Sequence, residues 1–226
     1  EVFGNKAFHK ALGVLVLSIP AHIPFVLVFV MYPKYWTRVA GADVPIGQLE
    51  MINPIIIIIG LILLAPVVKR FNVYWVLMTG MVITSFSMLV LAVPPQWVAG
   101  WAGTSLVNAY LILIYSQTVV FSLGEAIWSP QLQSYVATFT PKGSEGTFMG
   151  ISRFPHTTAK LLAGAVSGFL LAHFCPAGIM EDIEAGKVSY FRSPEMMNVL
   201  MALFCLISPI GLLIFKKRLY VAKKAE

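Results

Sequence analysis

Charged residues are scarce in this sequence. Asp, Glu, Lys and Arg make up only 12% of its 226 residues, whereas 58% of the residues are hydrophobic. A soluble domain of this size carries about twice that charged fraction. The apolar residues also stand in long blocks, and a block of about 18 or more is typical of a membrane-spanning helix. The composition therefore argues against a soluble globular domain and predicts an integral membrane protein.

The sequence also lacks the motifs of common enzyme classes. It contains no glycine-rich phosphate loop, no zinc-ligand spacing and no nucleophile elbow. Its two cysteines, Cys175 and Cys205, lie in or beside apolar blocks and suit neither a disulfide framework nor a metal site. We therefore expect no enzyme activity, no cofactor and no metal. The net charge is +6, but the Lys and Arg residues are distributed among the loops as expected for a membrane protein. No nucleic-acid partner is therefore expected.

Six apolar blocks are long enough to cross a membrane. We predict one all-helical transmembrane domain over residues 1–226, with Ser105 as the N-cap of the fourth span and Pro130 as a kink within it. The predicted spans cover residues 11–32, 45–68, 74–93, 105–139, 147–174 and 196–215. Membrane lipid is therefore an expected partner of the chain.

The basic residues are divided unequally between the two sides of these spans. The terminal segments and the loops after the second and fourth spans hold ten Lys and Arg residues, and the opposite loops hold four. Cytoplasmic loops carry an excess of Lys and Arg. Because an even number of spans leaves both termini on one side, we predict that both termini are cytoplasmic.

Polar side chains mark one face of four of the six spans. The first span carries Ser18 and His22, four residues apart, and the second carries Glu50 and Asn53, three apart. The third and sixth spans carry no charged residue. We therefore predict two three-helix repeats, each with two polar helices and one outer support. Inverted repeats of this kind build each six-helix half of a major facilitator transporter.

The fourth and fifth spans have the longest polar series. On the fourth span, polar residues recur at spacings of three and four, at Tyr115, Thr118, Ser122, Glu125, Ser129 and Gln133. On the fifth span the series consists of Arg153, Thr157, Lys160, Gly164 and Ser167. These two stripes predict a polar surface in the interior of the membrane domain.

Glu125 and Lys160 lie at similar predicted depths. Glu125 is 14 residues before Phe139 and Lys160 is 13 residues after Thr147, so both lie about 20 Å from the loop that joins the two spans. An unpaired charge at that depth costs at least about 2.5–3.5 kcal/mol. We therefore predict a buried ion pair. It would bind a substrate or a proton, or else only hold the two helices together.

Three further features have a functional and a structural interpretation. His22 is a candidate proton carrier, and the alternative is a hydrogen-bonded packing residue. Arg153 is expected to extend toward the cytoplasmic surface. Gly164 and Gly168 form a small-xxx-small pair, which predicts close packing against another helix.

Two segments resemble a known family. The segment GEAIWSPQLQSYVATFTPKGSEGTFMG, Gly124–Gly150, resembles the tenth-to-eleventh helix region of the proton-coupled oligopeptide transporters, a branch of the major facilitator superfamily. The segment INPIIIIIGLILLAP, Ile52–Pro66, resembles the eighth helix of that family. The resemblance implies that the chain is the C-terminal six-helix half of such a transporter. The family's N-terminal half, with its glutamate-rich first helix, is absent from this chain, and Lys160 is not expected from the family pattern.

The resemblance also suggests residue roles. Glu125 matches the acid that faces the amino group of the peptide, and Asn53 matches a substrate-contacting asparagine. The predicted substrate- and proton-binding set is completed by four more residues: His22, Tyr115, Gln117 and Lys160. The expected function is proton-coupled transport of small solutes such as peptides by alternating access, together with an N-terminal six-helix half. The alternative is a transporter-derived, non-transporting subunit of a larger membrane complex.

Overall fold

A computed structural model of the chain describes residues 6–140 and 143–220. Over these residues the protein is all-helical and contains no strand. The helices are α1 Lys6–Val30, α2 Tyr32–Ala40, α3 Ile46–Val68, α4 Val73–Val90, α5 Pro95–Ala102, α6 Leu106–Ala137, α7 Glu145–Ser152, α8 Phe154–Phe174, α9 Ile179–Glu184, α10 Pro194–Ile214 and α11 Lys216–Leu219. Six segments are long and apolar enough to cross a membrane: α1, α3, α4, α6, α7 with α8, and α10. The predicted all-helical membrane fold is confirmed.

Side chains at the helix starts explain where two of the long helices begin. Ser105 accepts a hydrogen bond from the backbone N–H of Asn108 at 3.2 Å, so the predicted N-cap of α6 is confirmed. Ser193 does the same for the N–H of Met196 at the start of α10. Each cap satisfies a backbone donor that has no partner inside its own helix.

The fifth span, predicted over residues 147–174, is broken near its start. The chain forms α7 and then α8, with Arg153 between them. Pro155 lies in the first turn of α8. Its ring occupies the space of the carbonyl one turn earlier and its nitrogen carries no proton, so an incoming helix ends just before it. The break places Arg153 and the residues after it at a bend rather than on a straight helix.

The six long helices pack side by side in the order α3, α6, α4, α10, α1 and α8. α6 packs against α3 and α4, α1 packs against α8 and α10, and α4 packs against α10. α3 is the least buried span and lies at one end of the row, and α8 lies at the other end. Both therefore present long faces outward, with exposed apolar residues at Ile58, Ile62, Leu63 and Leu161.

A close crossing of α4 and α6 fixes the helix that carries Glu125. A Cβ atom added to Gly124 would lie 2.7 Å from the backbone nitrogen of Thr84, and one added to Gly80 would lie 2.6 Å from that of Trp128. Both distances are shorter than any normal carbon contact, so only glycine fits at either position. Trp128 reinforces the crossing, because its indole N–H donates to the Thr84 hydroxyl at 3.1 Å.

The short helix α2 is fastened to one end of the bundle. Its Tyr32 hydroxyl donates to Asn198 Oδ1 on α10 at 2.8 Å. Its Arg38 guanidinium donates to the carbonyls of Leu171 and Cys175 at the end of α8, at 3.3 and 2.5 Å. A cation at a helix C-terminus satisfies free carbonyls and interacts favourably with the helix dipole. α2 therefore ties α8 to the rest of the domain.

We expect Cys175 to resist maleimide at neutral pH while the protein is folded. Burial raises the pKa of its thiol to about 12, although the nearby Arg38 guanidinium acts in the opposite direction. Only the thiolate reacts, and the side chain is fully buried. A hydrogen bond from a charged group contributes about 1.5–3 kcal/mol, so Arg38→Ala should raise the labelling rate roughly tenfold.

Labelling is measured in a Cys205→Ala background, so that Cys175 is the only thiol of the chain that reports. Lys34→Ala is the matched control, because Lys34 lies on the exposed side of the same helix. Equal labelling rates in Arg38→Ala and Lys34→Ala would show that the guanidinium does not hold α2 on α8.

The small-xxx-small pair on α8 meets no helix within the described part of the chain, so the predicted close packing has no partner there. A Cβ atom added to Gly164 or to Gly168 would meet nothing within 4 Å, and both residues are exposed. The face that α8 turns toward α1 carries Ala159 and Ala163 instead, both fully buried. The glycine face is therefore free within the part of the chain that the structure describes.

Candidate functional site

Glu125 lies inside the protein and is held by an amide. Its side chain is 5% exposed, and its Oε2 atom accepts a hydrogen bond from Asn53 Nδ2 on α3 at 2.9 Å. The same Asn53 nitrogen donates to the hydroxyl of Ser122, one turn earlier on α6, at 3.1 Å. The structure thus brings together two residues of the predicted set, and Asn53 fixes the carboxyl group between α3 and α6.

The predicted ion pair between Glu125 and Lys160 is absent. Both residues lie within the described part of the chain, and no ion pair joins them. Lys160 is exposed, because α8 turns the neighbouring Ala159 and Ala163 toward α1, and the next residue along a helix points about 100° away. Similar depth in the membrane was therefore not sufficient for an ion pair, because the rotation of α8 about its axis points the Lys160 ammonium group outward.

A cavity of about 200 Å³ opens beside Glu125 between α1, α6 and the α7–α8 break. Polar groups reach it from three directions. Ser129 and Gln133 continue the polar stripe of α6 into it, and Arg153 and His156 enter from the break. Gln133 and Arg153 are exposed, so the cavity leads toward the end of the bundle where α6 and α7 are joined.

His22 borders the same cavity from α1. It is 8% exposed, and its ring contacts the Trp128 ring edge-to-face at a centroid distance of 4.8 Å. Its Nδ1 atom lies 2.9 Å from the carbonyl oxygen of Ser18, one turn earlier. The bond is to the Ser18 backbone, and the Ser18 hydroxyl donates instead to the carbonyl of Leu15 at 2.7 Å. A carbonyl oxygen accepts only, so Nδ1 carries the proton there.

Tyr115 and Gln117 lie elsewhere on α6 and do not border this cavity. Tyr115 is half-buried and packs against the apolar core. Gln117 is 1% exposed, and its Nε2 atom has no hydrogen-bond partner in the described structure. Of the six predicted site residues, His22 and Glu125 border the cavity and Asn53 binds Glu125, whereas Tyr115, Gln117 and Lys160 do not border the cavity.

His156 is a cavity residue that the sequence reasoning missed. Its ring lies 6.2 Å from that of His22, centroid to centroid. It stands three residues after Arg153 and four before Lys160, which is the spacing of one helix face. That spacing was the available signal. The predicted polar series of the fifth span ran through Arg153, Thr157 and Lys160 and did not include His156.

The arrangement suits proton and cation chemistry. The Glu125 carboxyl group is buried, and the described residues place no cation against it. Burying a charge without a partner costs free energy, so the group favours either a proton or a bound cation over an empty, charged state. Its second oxygen, Oε1, has no protein partner in the described structure, and the residue borders the cavity. Oε1 is therefore the atom that can take up a proton or face an amine.

Comparison with known proteins identifies the family. A family model described as PTR2, the POT family, matches residues 7–181. The match runs from the start of α1 into α9 and includes the cavity and all six predicted site residues. No curated protein and no solved structure matches the chain. Since the family model covers well over half of the sequence, and since six apolar helices span its length, the chain belongs to the POT family of membrane transporters.

Proposed function

We propose that this chain is the C-terminal half of a proton-coupled transporter of small peptides. The observation that carries the proposal is the Glu125 carboxyl group, which is buried, bound by a neutral amide and open to a cavity. A peptide's amino group and a proton compete for such a carboxyl group. The amino group pairs only with the ionised carboxylate, so binding of the peptide requires the proton to leave Glu125, which links proton movement to substrate movement.

The pairing of the helices supports alternating access within two related triplets. The first triplet is α1, α3 and α4, and the second is α6, α8 and α10. We match α1 with α6, α3 with α8 and α4 with α10. The α1–α8 contact then corresponds to the α6–α3 contact, and the α1–α10 contact corresponds to the α6–α4 contact. The α4–α10 contact corresponds to itself. This is the pattern expected of repeats related by a two-fold axis, on which rocking-bundle transport depends.

The outward face of α8 supports a second six-helix unit as the partner. Lys160 is exposed in the middle of a span, where contact with lipid would cost about 2.5–3.5 kcal/mol. It therefore faces water or protein that lies outside this chain. We infer that α3 and α8 line the contact with an N-terminal half, and that both termini are cytoplasmic. The family assignment gives no support to the accessory-subunit alternative.

The test is transport by the native polypeptide in liposomes. With a pH gradient across the membrane, we expect labelled di- and tripeptides to accumulate and a protonophore to remove the accumulation. Liposomes without protein and a neutral sugar of similar size are the controls. Correctly folded protein that accumulates no peptide under the gradient would overturn the proposed function.

A further inference from the structure

Two imidazole rings lie next to each other where α1 meets the start of α8. The ring centroids of His22 and His156 are 6.2 Å apart, with the planes inclined by 62°. Aromatic neighbours hold both rings in place, since Trp128 contacts His22 at 4.8 Å and Phe25 contacts His156 at 5.5 Å. The pair is thus a defined part of the cavity wall.

The hydrogen bond of His22 decides which of its nitrogens is available. Because Nδ1 donates to the Ser18 carbonyl, the neutral ring carries its proton on that atom. The remaining nitrogen, Nε2, has a free lone pair and can accept a second proton. Both histidines and Glu125 border the same cavity, which at about 200 Å³ has room for several water molecules.

We propose that His22 and His156 form a proton-accepting pair that takes the proton of Glu125 through water in this cavity. In this step the Glu125 O–H bond breaks, a water molecule accepts that proton and passes on one of its own, and an imidazole nitrogen forms a new N–H bond. The products are a carboxylate and one imidazolium, so charge and protons balance. The proposal rests on the proposed proton coupling and adds the group that receives the proton.

The charges around the pair limit it to one proton at a time. Arg153 borders the cavity beside His156, and Lys160 lies one turn farther along α8. α6 contributes the acid, Glu125. α10 also packs on α1 here, through the neutral Ser208 hydroxyl, which accepts from the Ala21 N–H at 2.9 Å. Two imidazoliums 6.2 Å apart, next to further cations, would repel each other strongly.

The pair and the acid lie at similar depths in the membrane domain. Glu125 is 12 residues before the end of α6 at Ala137, and His156 is 11 residues after the start of α7 at Glu145. The proton therefore passes across the cavity, from α6 to the wall formed by α1 and α8.

The experiment is an NMR titration of ¹⁵N-histidine-labelled native polypeptide in lipid nanodiscs. In the wild-type protein we expect the ring signals of His22 and His156 to titrate as a coupled pair. In His156→Gln, we expect the protonation midpoint of His22 to rise by about one pH unit, because a competing positive charge is removed. Glu125→Gln should move both midpoints as well.

His173 provides the matched control on the same helix. It lies at the other end of α8, exposed and stacked on Phe169 at 5.7 Å, and it does not border the cavity. His173→Gln should leave the midpoints of His22 and His156 unchanged. His22→Gln gives the reciprocal measurement if His156→Gln folds poorly.

Uptake measurements separate this proposal from the proposed function. We expect His156→Gln to flatten the pH dependence of uptake, whereas His173→Gln, outside the cavity, should leave the pH dependence of uptake unchanged. A protein that transports under a pH gradient, but in which His22 titrates independently of His156 and Glu125, would overturn the proton-accepting pair alone. Absence of gradient-driven uptake in the wild-type protein would overturn the proposed function, whereas the titration would still report on the pair.

Discussion

Glu125→Gln is expected to reduce peptide uptake driven by a pH gradient by tenfold or more. The glutamine amide keeps the shape of the side chain, and its oxygen can still accept the hydrogen bond from Asn53 Nδ2. The variant therefore removes the charge and the proton without removing the contact between α3 and α6. Loss of one partner of a buried charged pair costs about 2–5 kcal/mol, which corresponds to more than a tenfold change in binding.

Glu50→Gln is the control for this prediction. Glu50 is an acid on α3, as Asn53 is, but it lies close to the start of that helix and is half-buried. We expect near wild-type uptake from this variant. The comparison is made at equal amounts of folded protein, measured by size-exclusion chromatography. Wild-type uptake rates in Glu125→Gln would refute a role for the carboxyl group in either proton or substrate binding.

Gly124→Ala is expected to destabilise the folded domain strongly, although it adds only one methyl group. The new Cβ would lie 2.5 Å from the Thr84 hydroxyl oxygen and 2.7 Å from the Thr84 backbone nitrogen. A backbone atom cannot move aside as a flexible side chain can, so α4 and α6 would have to separate. Overpacking of this kind costs about 1–3 kcal/mol. We expect a lower melting temperature and a lower yield of folded protein in detergent.

Gly164→Ala tests whether this effect belongs to the crossing and not to any glycine in a span. Gly164 is also inside a transmembrane helix, and a Cβ atom there would meet nothing within 4 Å in this chain. Alanine exceeds glycine in helix propensity by up to about 1 kcal/mol, so stability should stay equal or rise. Equal melting temperatures in Gly124→Ala and Gly164→Ala would show that the α4–α6 crossing tolerates a side chain.

Separating the helices would also affect the site. Gly124 precedes Glu125 directly, and Trp128, one turn later, contacts both Thr84 and His22. A shift of α6 at the crossing would therefore displace the carboxyl group and the cavity wall together. Any residual folded Gly124→Ala protein is expected to transport more slowly than its amount predicts.

The six long helices and the polar face of α6 could be predicted from local sequence. Apolar blocks of span length and a serine at Ser105 are local signals, and the structure has a helix in each predicted span and the cap at the predicted position. Glu125 and Asn53 were identified by their place in segments that resemble a family, and they are in contact. These features depend on residues that are close together in the sequence, or on a pattern shared with the family. They could therefore be predicted from the sequence alone.

Which helix faces meet could not be predicted in the same way, because it depends on packing between distant segments. Depth along a helix follows from counting residues, but the rotation of a helix about its axis depends on the packing of its neighbours. α8 turns Ala159 and Ala163 toward α1 and leaves Lys160 exposed, and His156 reaches the cavity because it lies at the start of α8, beside His22 of α1. The same physical cause explains why Gly124 is confined at the α4–α6 crossing while Gly164 is open. A single sequence records the spacing of such residues, whereas the partner of each face is set by contacts between distant segments.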